Sequence, residues 1–267
     1  MRPTEPLQRQ ETGLLILEQS GPCLSIGINR PEKRNALNDA TIAALDDAMS
    51  DLPDGVGAVV IHGIGEHFCA GLDLSELTER DATEGVLHSR FWHRAFEKIQ
   101  FGRVPVVAAL KGAVIGGGLE LAAACHIRIA ERSAFYALPE GQRGIFVGGG
   151  GSVRIPRLIG VARMADMMLT GRSYSAEEGY ALGLSQYLVE DGAALPKALE
   201  LAEQIARNAF MTNFAVVHAL PRIAEADPAA GYITEALAAA VAQSDREAKA
   251  RIRAFLEKKA AKVKRPD

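Results

Sequence analysis

The sequence carries at residues 111–121 the stretch Lys111-Gly112-Ala113-Val114-Ile115-Gly116-Gly117-Gly118-Leu119-Glu120-Leu121. A short apolar run, three consecutive glycines and an alanine- and leucine-rich segment predict a strand, a sharp bend and a helix. The first N–H groups of such a helix have no intrahelical acceptor and stay free to donate. The stretch therefore predicts an α/β unit whose backbone bends beside a carboxylate.

A second glycine cluster lies about thirty residues further along. Ten of the 26 glycines occupy only 18 positions, at 112–118 and at 141–151. This clustering is too local for collagen or for a flexible linker, and it predicts backbone that bends sharply or approaches a ligand closely. The second cluster follows Pro139-Glu140 and ends in four consecutive glycines at 148–151.

A third segment, residues 63–74, runs from a predicted strand through small residues into a helix start. Free amides from this segment and from the bend at residues 116–118 could converge on one point. Two such donors form an oxyanion hole for a thioester carbonyl or its enolate.

Glu120 and Glu140 are the ionisable side chains beside the bends. Leu119, Leu121 and the alanines that follow predict apolar surroundings for Glu120, and burial raises a carboxyl pKa toward the range useful for proton transfer. Taken singly, each residue is equally compatible with a helix-start carboxylate or an ordinary turn acid. Together they indicate acid/base chemistry at an anionic intermediate.

The surrounding chain alternates strands and helices, which is typical of an α/β fold. Strands are predicted at residues 14–17, 24–28, 58–62 and 106–110, with Asn38 as a helix N-cap and a helix over 75–100. Beyond residue 150 the strand signal fades, and helices are predicted at 160–170, 175–183, 196–208 and, without a break, 231–263.

Composition excludes several classes of protein. The 267 residues are 48% hydrophobic and 24% charged with a net charge of −3, which gives no global reason to bind nucleic acid. No apolar run approaches the ~20 residues of a membrane span. Residues 1–11 lack the apolar core of a signal peptide and are predicted to be a flexible lead. Cys23, Cys69 and Cys125 form no CxxC pair, so the cytoplasm is the expected compartment.

Familiar glycine motifs are absent from the sequence. The bends contain neither G-x-G-x-x-G nor a phosphate-binding P-loop, and Arg154 stands where a G-x-S-x-G elbow needs glycine. The six histidines show no metal-ligand spacing, so no metal site is predicted. Residues 246–267 hold nine basic and three acidic residues, which indicates either a solvated helix face or contact with a phosphate-bearing partner.

The chain resembles the crotonase superfamily, also called the enoyl-CoA hydratase/isomerase family, over nearly its whole length. The matching strings occur in the family's order and are residues 28–38, 68–74, 116–121, 138–140, 154–160 and 170–172. Each string is weak alone, but the ordered set is specific. The resemblance implies a crotonase-like ββα spiral core over residues 12–200 and a helical C-terminal region over 201–267 that mediates assembly.

The resemblance also implies roles for individual residues. The oxyanion amides would be those of Leu72 and Gly117, and Glu120 and Glu140 would match the two carboxylates of the hydratase branch. The implied coenzyme A site comprises Arg34, Ala36, Ala70, Leu72, Asp73, Leu74, Phe255 and Lys258, the last two sometimes reaching a neighbouring subunit's site in relatives. Val147 replaces a proline found in many hydratases, which leaves the acyl preference open.

The predicted reaction is syn hydration of a trans-2-enoyl-CoA to a 3-hydroxyacyl-CoA, with no cofactor beyond the coenzyme A of the substrate. A homotrimer or a dimer of trimers is expected from the resemblance, with no membrane and no nucleic-acid partner. Three alternatives stay open: an enoyl-CoA isomerase, another acyl-CoA reaction on the same oxyanion hole, and a non-catalytic RNA-binding protein of the same fold.

Overall fold

The computed structural model describes residues 8–76 and 79–257. The chain forms two compact units, the first ending at Ala206 and the second beginning at Arg207. Strands and helices are numbered separately in chain order. The strands are β1 Gln8–Glu11, β2 Leu15–Ser20, β3 Cys23–Ile28, β4 Ala58–Gly63, β5 Val106–Leu110, β6 Ala113–Ile115, β7 Ile127–Glu131, β8 Phe135–Ala137, β9 Ser173–Ser175 and β10 Tyr187–Val189.

Eleven α-helices accompany these strands in the described ranges. They are α1 Asp39–Ser50, α2 Ala82–Gln100, α3 Gly117–Ala124, α4 Gly151–Ile159, α5 Val161–Thr170, α6 Ala176–Leu182, α7 Ala194–Ala206, α8 Phe210–Phe214, α9 Leu220–Glu225, α10 Pro228–Ser244 and α11 Arg246–Leu256. Short 3-10 helices cover Pro31–Lys33, Leu74–Glu76 and Gly141–Arg143, and a π-helical turn, Ala215–Ala219, joins α8 to α9.

A seven-stranded sheet with the order β1-β2-β3-β4-β5-β7-β10 forms the centre of the first unit. The pairings β1–β2 and β2–β3 are antiparallel, and the remaining pairings are parallel. A second sheet with the order β6-β8-β9 lies in the same unit. The α/β prediction is thereby confirmed.

Alternate residues of the central strands enter two different apolar clusters. In β4, Val59 and Ile61 belong to the larger cluster, whereas Ala58 and Val60 pack with α7 residues such as Ala198. A strand with both faces buried is typical of a parallel sheet covered by helices on each side. Because both faces of the sheet are covered, the loops at the ends of the strands are the part of the sheet that can form a site.

The four predicted strands match β2, β3, β4 and β5, with ends that differ by up to three residues. Asn38 is the N-cap of α1, since its side chain accepts a hydrogen bond from the Thr41 amide. The predicted helices at 160–170, 175–183 and 196–208 correspond to α5, α6 and α7.

Three local expectations differ from the structure. Residues 8–11, expected in the flexible lead, form β1 on the edge of the sheet, and residues 1–7 lie outside the described ranges. Helix α2 begins at Ala82 rather than at residue 75, because Asp81 and Glu84 form a capping box. The predicted helix at 231–263 is broken at Asp245, whose side chain caps α11 by accepting from the amides of Glu247 and Ala248.

Candidate active site

The bend before α3 is built by a close approach of two backbone segments. Gly116 has a φ of 53°, and α3 begins at the next residue. An isolated parallel bridge joins Cys69 to Val114, which brings residues 69–72 beside the bend. A Cβ on Gly71 would lie 2.7 Å from the Ile115 carbonyl oxygen and 3.2 Å from the Gly117 nitrogen, so this approach requires glycine.

The amides of Leu72 and Gly117 lie next to each other at this crossing. A Cβ built on Gly117 would stand 3.6 Å from the Leu72 nitrogen. The Leu37 amide donates to the Gly71 carbonyl and the Asp73 amide to the Leu37 carbonyl, at 2.7 and 2.8 Å. This pairing leaves the Leu72 N–H on the opposite side, and neither amide donates to an acceptor among the described residues. Two free donors therefore face the same region.

Glu120 projects from the first turn of α3 and is only 3% exposed. Its Oε1 accepts hydrogen bonds from the amides of Gly149, at 2.8 Å, and Gly151, at 2.7 Å. Burial raises the pKa of this carboxyl, while the two amides and the nearby Arg154 guanidinium act in the opposite direction. The four-glycine run left unexplained by the sequence thus includes a cradle for Glu120.

At two positions of this cradle, any residue larger than glycine would clash with its neighbours. A Cβ on Gly151 would lie 2.6 Å from Cγ of Glu120, and a Cβ on Gly149 would lie 2.9 Å from the Phe96 ring. Arg154 holds the loop by donating from Nη1 to the Gly149 carbonyl at 2.9 Å, and its Nε donates to Gln100 Oε1 at 2.6 Å.

Glu140 approaches from the loop after β8 and is 7% exposed. Its Oε1 lies beside the bend, 2.6 Å from where a Gly116 Cβ would be, and its buried Oε2 has no hydrogen-bond partner in the described residues. Burial, and then the negative charge of Glu120, raise the pKa of Glu140. One oxygen of this carboxyl is therefore buried without a donor in the described residues.

One cavity of about 280 Å³ brings these groups together. Its lining includes the four residues predicted for catalysis and the oxyanion hole: Leu72, Gly117, Glu120 and Glu140. Helix α2 supplies a wall through His88, Ser89 and Trp92, and residues 145–149 form another part of the lining. Two free amides and two buried carboxylates on one cavity suit acid/base chemistry on a carbonyl compound.

The family model for enoyl-CoA hydratase/isomerase matches residues 18–266. The chain belongs to the enoyl-CoA hydratase/isomerase family. The short-chain-enoyl-CoA hydratase of Clostridium acetobutylicum is 35% identical over 202 residues, which cover 74% of this chain and 77% of that protein.

Solved structures of the family are similar over almost the entire chain. A crystal structure from Rhodopseudomonas palustris CGA009, provisionally described as an enoyl-CoA hydratase, is 68% identical with a TM-score of 0.91, covering 94% of this chain and 98% of that one. The enoyl-CoA hydratase of Bacillus anthracis is 30% identical with a TM-score of 0.83, covering 95% and 97%.

Six of the eight residues that the family resemblance assigns to coenzyme A lie in two adjacent segments. The Ala70 amide donates to the Arg34 carbonyl at 3.0 Å, and Leu37 pairs with Leu72, so residues 34–37 and 70–73 run side by side. Ala36 is buried in this pairing, and Leu74 is exposed at its end. This pairing places residues 34–37 beside the candidate oxyanion amide of Leu72.

Asp73 is engaged within the protein. Its carboxylate forms ion pairs with Arg30, at 2.8 Å, and Lys33, at 3.0 Å. Hydrogen bonds from Ser75, Lys33 and Arg30 hold the pKa of Asp73 well below its usual range. Its side chain thus fixes the predicted coenzyme A segment, and its backbone remains the part that could face a ligand.

The two predicted C-terminal contacts with coenzyme A are Phe255 and Lys258. Phe255 is on α11 in the second unit and is 65% exposed. Lys258 lies outside the described residues. The coenzyme A contacts of these two residues therefore stay predictions.

Asn35 lies within the predicted coenzyme A segment, but its supporting role inside the protein was not evident from the sequence. It is fully buried, and its Nδ2 donates to the carbonyls of Ile64 and His67 while its Oδ1 accepts from the Arg30 amide. Arg34 and Asn35 both have positive φ, 52° and 57°. Asparagine tolerates this region better than most residues, which is the one local signal that could have identified it.

Within residues 8–76 and 79–257, no group of three or more His, Cys, Asp or Glu side chains is arranged to hold a metal ion. None of the helices in these ranges has the length and apolarity needed to cross a membrane.

Proposed function

We propose that the protein is an enoyl-CoA hydratase that adds water syn across a trans-2-enoyl-CoA to give a 3-hydroxyacyl-CoA. The observation that supports this most is the pairing of Glu120 and Glu140 on one cavity with the free amides of Leu72 and Gly117. Hydration needs a base for water, an acid for carbon 2 and donors for the thioester oxygen. The cavity offers a candidate for each.

The two amides would donate to the thioester oxygen as negative charge develops there. Preorganised N–H donors stabilise such an enolate more than the ground-state carbonyl, which lowers the barrier. The N–H of Gly117 also belongs to the first turn of α3, where the helix dipole favours negative charge.

Burial raises the pKa of both carboxyls, but the groups that face the two carboxyls differ. Glu120 accepts two amide hydrogen bonds and faces Arg154, and these contacts favour its charged form. Glu140 lacks comparable donors at Oε2 and faces the charge of Glu120, which favours its protonated form. We assign Glu120 as the base and Glu140 as the acid.

Addition of water across the double bond then needs two proton transfers. Water transfers a proton to Glu120 while its oxygen bonds to carbon 3, the carbon 2–carbon 3 π pair moves to the enolate, and Glu140 delivers its proton to carbon 2. Transfer of the proton from Glu120 back to Glu140 resets the pair, so the two groups titrate as a unit. The reaction as proposed uses no cofactor besides the coenzyme A carried by the substrate.

The remaining expectations belong to the same proposal. Residues 34–37 and 70–74 would bind the coenzyme A portion, and Phe255 and Lys258 would cap it. A homotrimer or a dimer of trimers in the cytoplasm is the expected assembly and location, without nucleic-acid or membrane partners.

The test compares crotonyl-CoA hydration by the wild type, Glu120→Gln and Glu140→Gln. Because each substitution removes one proton-transfer group with little change in shape, kcat should fall about 10²- to 10⁴-fold in both. Glu66→Gln, at an exposed position outside the cavity lining, is the matched control and should keep wild-type turnover. Full hydratase activity in either cavity variant would refute the proposal.

A second substrate separates hydratase from isomerase. An isomerase would convert a 3-enoyl-CoA faster than it hydrates a 2-enoyl-CoA, and it could retain activity after loss of one of the two carboxylates. The wild type and both variants should therefore be assayed with both substrates.

A further inference from the structure

The peptide between Gly148 and Gly149 is held by hydrogen bonds at both ends. The Ser89 hydroxyl donates to the Gly148 carbonyl oxygen at 2.6 Å, and the Gly149 N–H donates to Glu120 Oε1 at 2.8 Å. This carbonyl and this N–H belong to one planar peptide unit. Fixing the direction of the carbonyl therefore fixes the direction in which the N–H points.

We propose that Ser89 is a positioning residue for Glu120, acting through the Gly148–Gly149 peptide. The inference rests on the proposed acid/base role of Glu120. Ser89 itself lies on α2, in the cavity wall, and its hydroxyl hydrogen is committed to the Gly148 carbonyl. Ser89 orients the Gly149 amide, one of the two amides that donate to the Glu120 carboxylate.

His93 extends this chain of hydrogen bonds by one member. Its Nε2 lies 3.3 Å from Ser89 Oγ. The hydroxyl has a single hydrogen, which points at Gly148, so the ring nitrogen must be the donor in this contact. Burial, with the charges of Arg90 and Arg154, lowers the pKa of His93, which favours the neutral ring. The chain His93–Ser89–peptide–Glu120 is thereby oriented in one direction.

A second anchor holds the next peptide of the same loop. Arg154 donates to the Gly149 carbonyl and to Gln100, which is the last residue of α2. Successive carbonyls of the loop are therefore bound by α2, through Ser89, and by α4, through Arg154. Since Arg154 and Ser89 bind different carbonyls, loss of Ser89 should loosen one peptide without releasing the whole loop.

The expected effect on Glu120 follows from the groups that face it. These are Arg154 of α4, Glu140 of the loop after β8, and the glycine amides held by α2. Without the Ser89 hydroxyl, the Gly148 carbonyl loses its donor and the Gly149 N–H bond to Glu120 weakens. The charged carboxylate is then less stabilised, so its pKa rises and the acidic limb of the pH–rate profile moves to higher pH.

The experiment compares Ser89→Ala with Ser89→Thr, which keeps a hydroxyl, and with Ser152→Ala. Ser152 is exposed beside the glycine loop and forms no side-chain hydrogen bond to Gly148 or Glu120 in the described structure. With crotonyl-CoA at pH 7, Ser89→Ala should lose about 5- to 10-fold in kcat, with KM changed less than about twofold. Ser89→Thr should recover most of the loss, and Ser152→Ala should match the wild type.

Two outcomes would overturn the inference. One is a rise in KM with an unchanged pH profile, which would make Ser89 a substrate contact. The other is a loss of the same size in Ser152→Ala, which would indicate a general effect on the fold.

A readout independent of turnover separates this inference from the proposed function. In a Glu140→Gln background, ¹³C-labelled glutamate NMR follows the titration of Glu120, whose signal is assigned by its loss in Glu120→Gln. The titration should move to higher pH in Ser89→Ala and return in Ser89→Thr. If the wild type hydrates no enoyl-CoA, the proposed function fails while this titration still decides the role of Ser89; an unmoved titration refutes that role.

Discussion

Gly151→Ala should disable Glu120 by adding a single methyl group. The Gly151 amide donates to Glu120 Oε1 at 2.7 Å, and a Cβ on Gly151 would lie 2.6 Å from Glu120 Cγ and 2.9 Å from Oε1. These separations are too short for real Cβ contacts, so the carboxylate or the loop must move. Glu120 is 3% exposed, with Gly149 and Phe96 packed close by, so little free space can absorb the displacement.

The size of the effect comes from the hydrogen bond that is lost. A hydrogen bond to a charged group contributes about 1.5–3 kcal/mol. If the bond is lost in the transition state, kcat should fall roughly 10- to 150-fold. Overpacking should also cost about 1–3 kcal/mol of unfolding free energy. The pKa of Glu120 should rise, because its charged form loses a donor.

Crotonyl-CoA turnover from pH 5 to 9, with urea unfolding at pH 7, measures these effects together. Gly85→Ala is the matched control. Gly85 lies on α2 in the lining of the same cavity, but a Cβ added there would meet no atom within 4 Å. It should keep kcat and gain up to about 1 kcal/mol of stability, as alanine replaces glycine inside a helix. Wild-type kcat and an unmoved acidic limb in folded Gly151→Ala would refute the assignment of this amide to Glu120.

Two further predictions concern the frame around the site. Asn35→Ala should lower the unfolding free energy by about 3 kcal/mol in urea titrations, because three buried hydrogen bonds are lost. Asn35→Asp should be at least as unstable, since a carboxylate oxygen would then face the Ile64 and His67 carbonyls; a stable Asp variant would contradict this account. Burial lowers the pKa of His62 to about 4. In the unfolded chain His62 binds a proton below about pH 6.5, whereas in the folded chain it does so only near pH 4. His62 should therefore lower the free energy of unfolding by about 2 kcal/mol between pH 7.5 and pH 5. In urea titrations, His62→Gln should lose that part of the pH dependence. If the unfolding free energy changes with pH equally in both proteins, His62 does not make this contribution.

Local sequence signals predicted the elements that carry the site. The strand, bend and helix around residues 111–121 are β6, the Gly116 turn and α3, and the apolar residues beside Glu120 did indicate its burial. Strand periodicity, an N-cap and a glycine bend all act within a few residues of chain. Such signals can be recognised without knowing what packs against them.

Some local signals were present but competed with others. Asp81 and Glu84 form the capping box that starts α2, yet the polar run before them also suits a helix. Asp245 ends α10 within an alanine-rich stretch of high helix propensity, so the break depends on its own capping bonds. Strands β8 and β9 have only three residues each, which is too short for a two-residue periodicity to be evident.

By itself, the sequence determined that two glycine-rich bends and two carboxylates belong to an α/β protein similar to the enoyl-CoA hydratases. Tertiary structure alone decided why Gly149 and Gly151 are glycines within the run at 148–151. The amides of Gly149 and Gly151 bind a carboxylate 29 and 31 residues earlier, and Ser89 fixes one of those peptides from 59 residues away. Contacts over such separations depend on how helices and loops pack across the core. The sequence therefore predicted that the backbone comes close to another group, and the tertiary packing shows that this group is the Glu120 carboxylate.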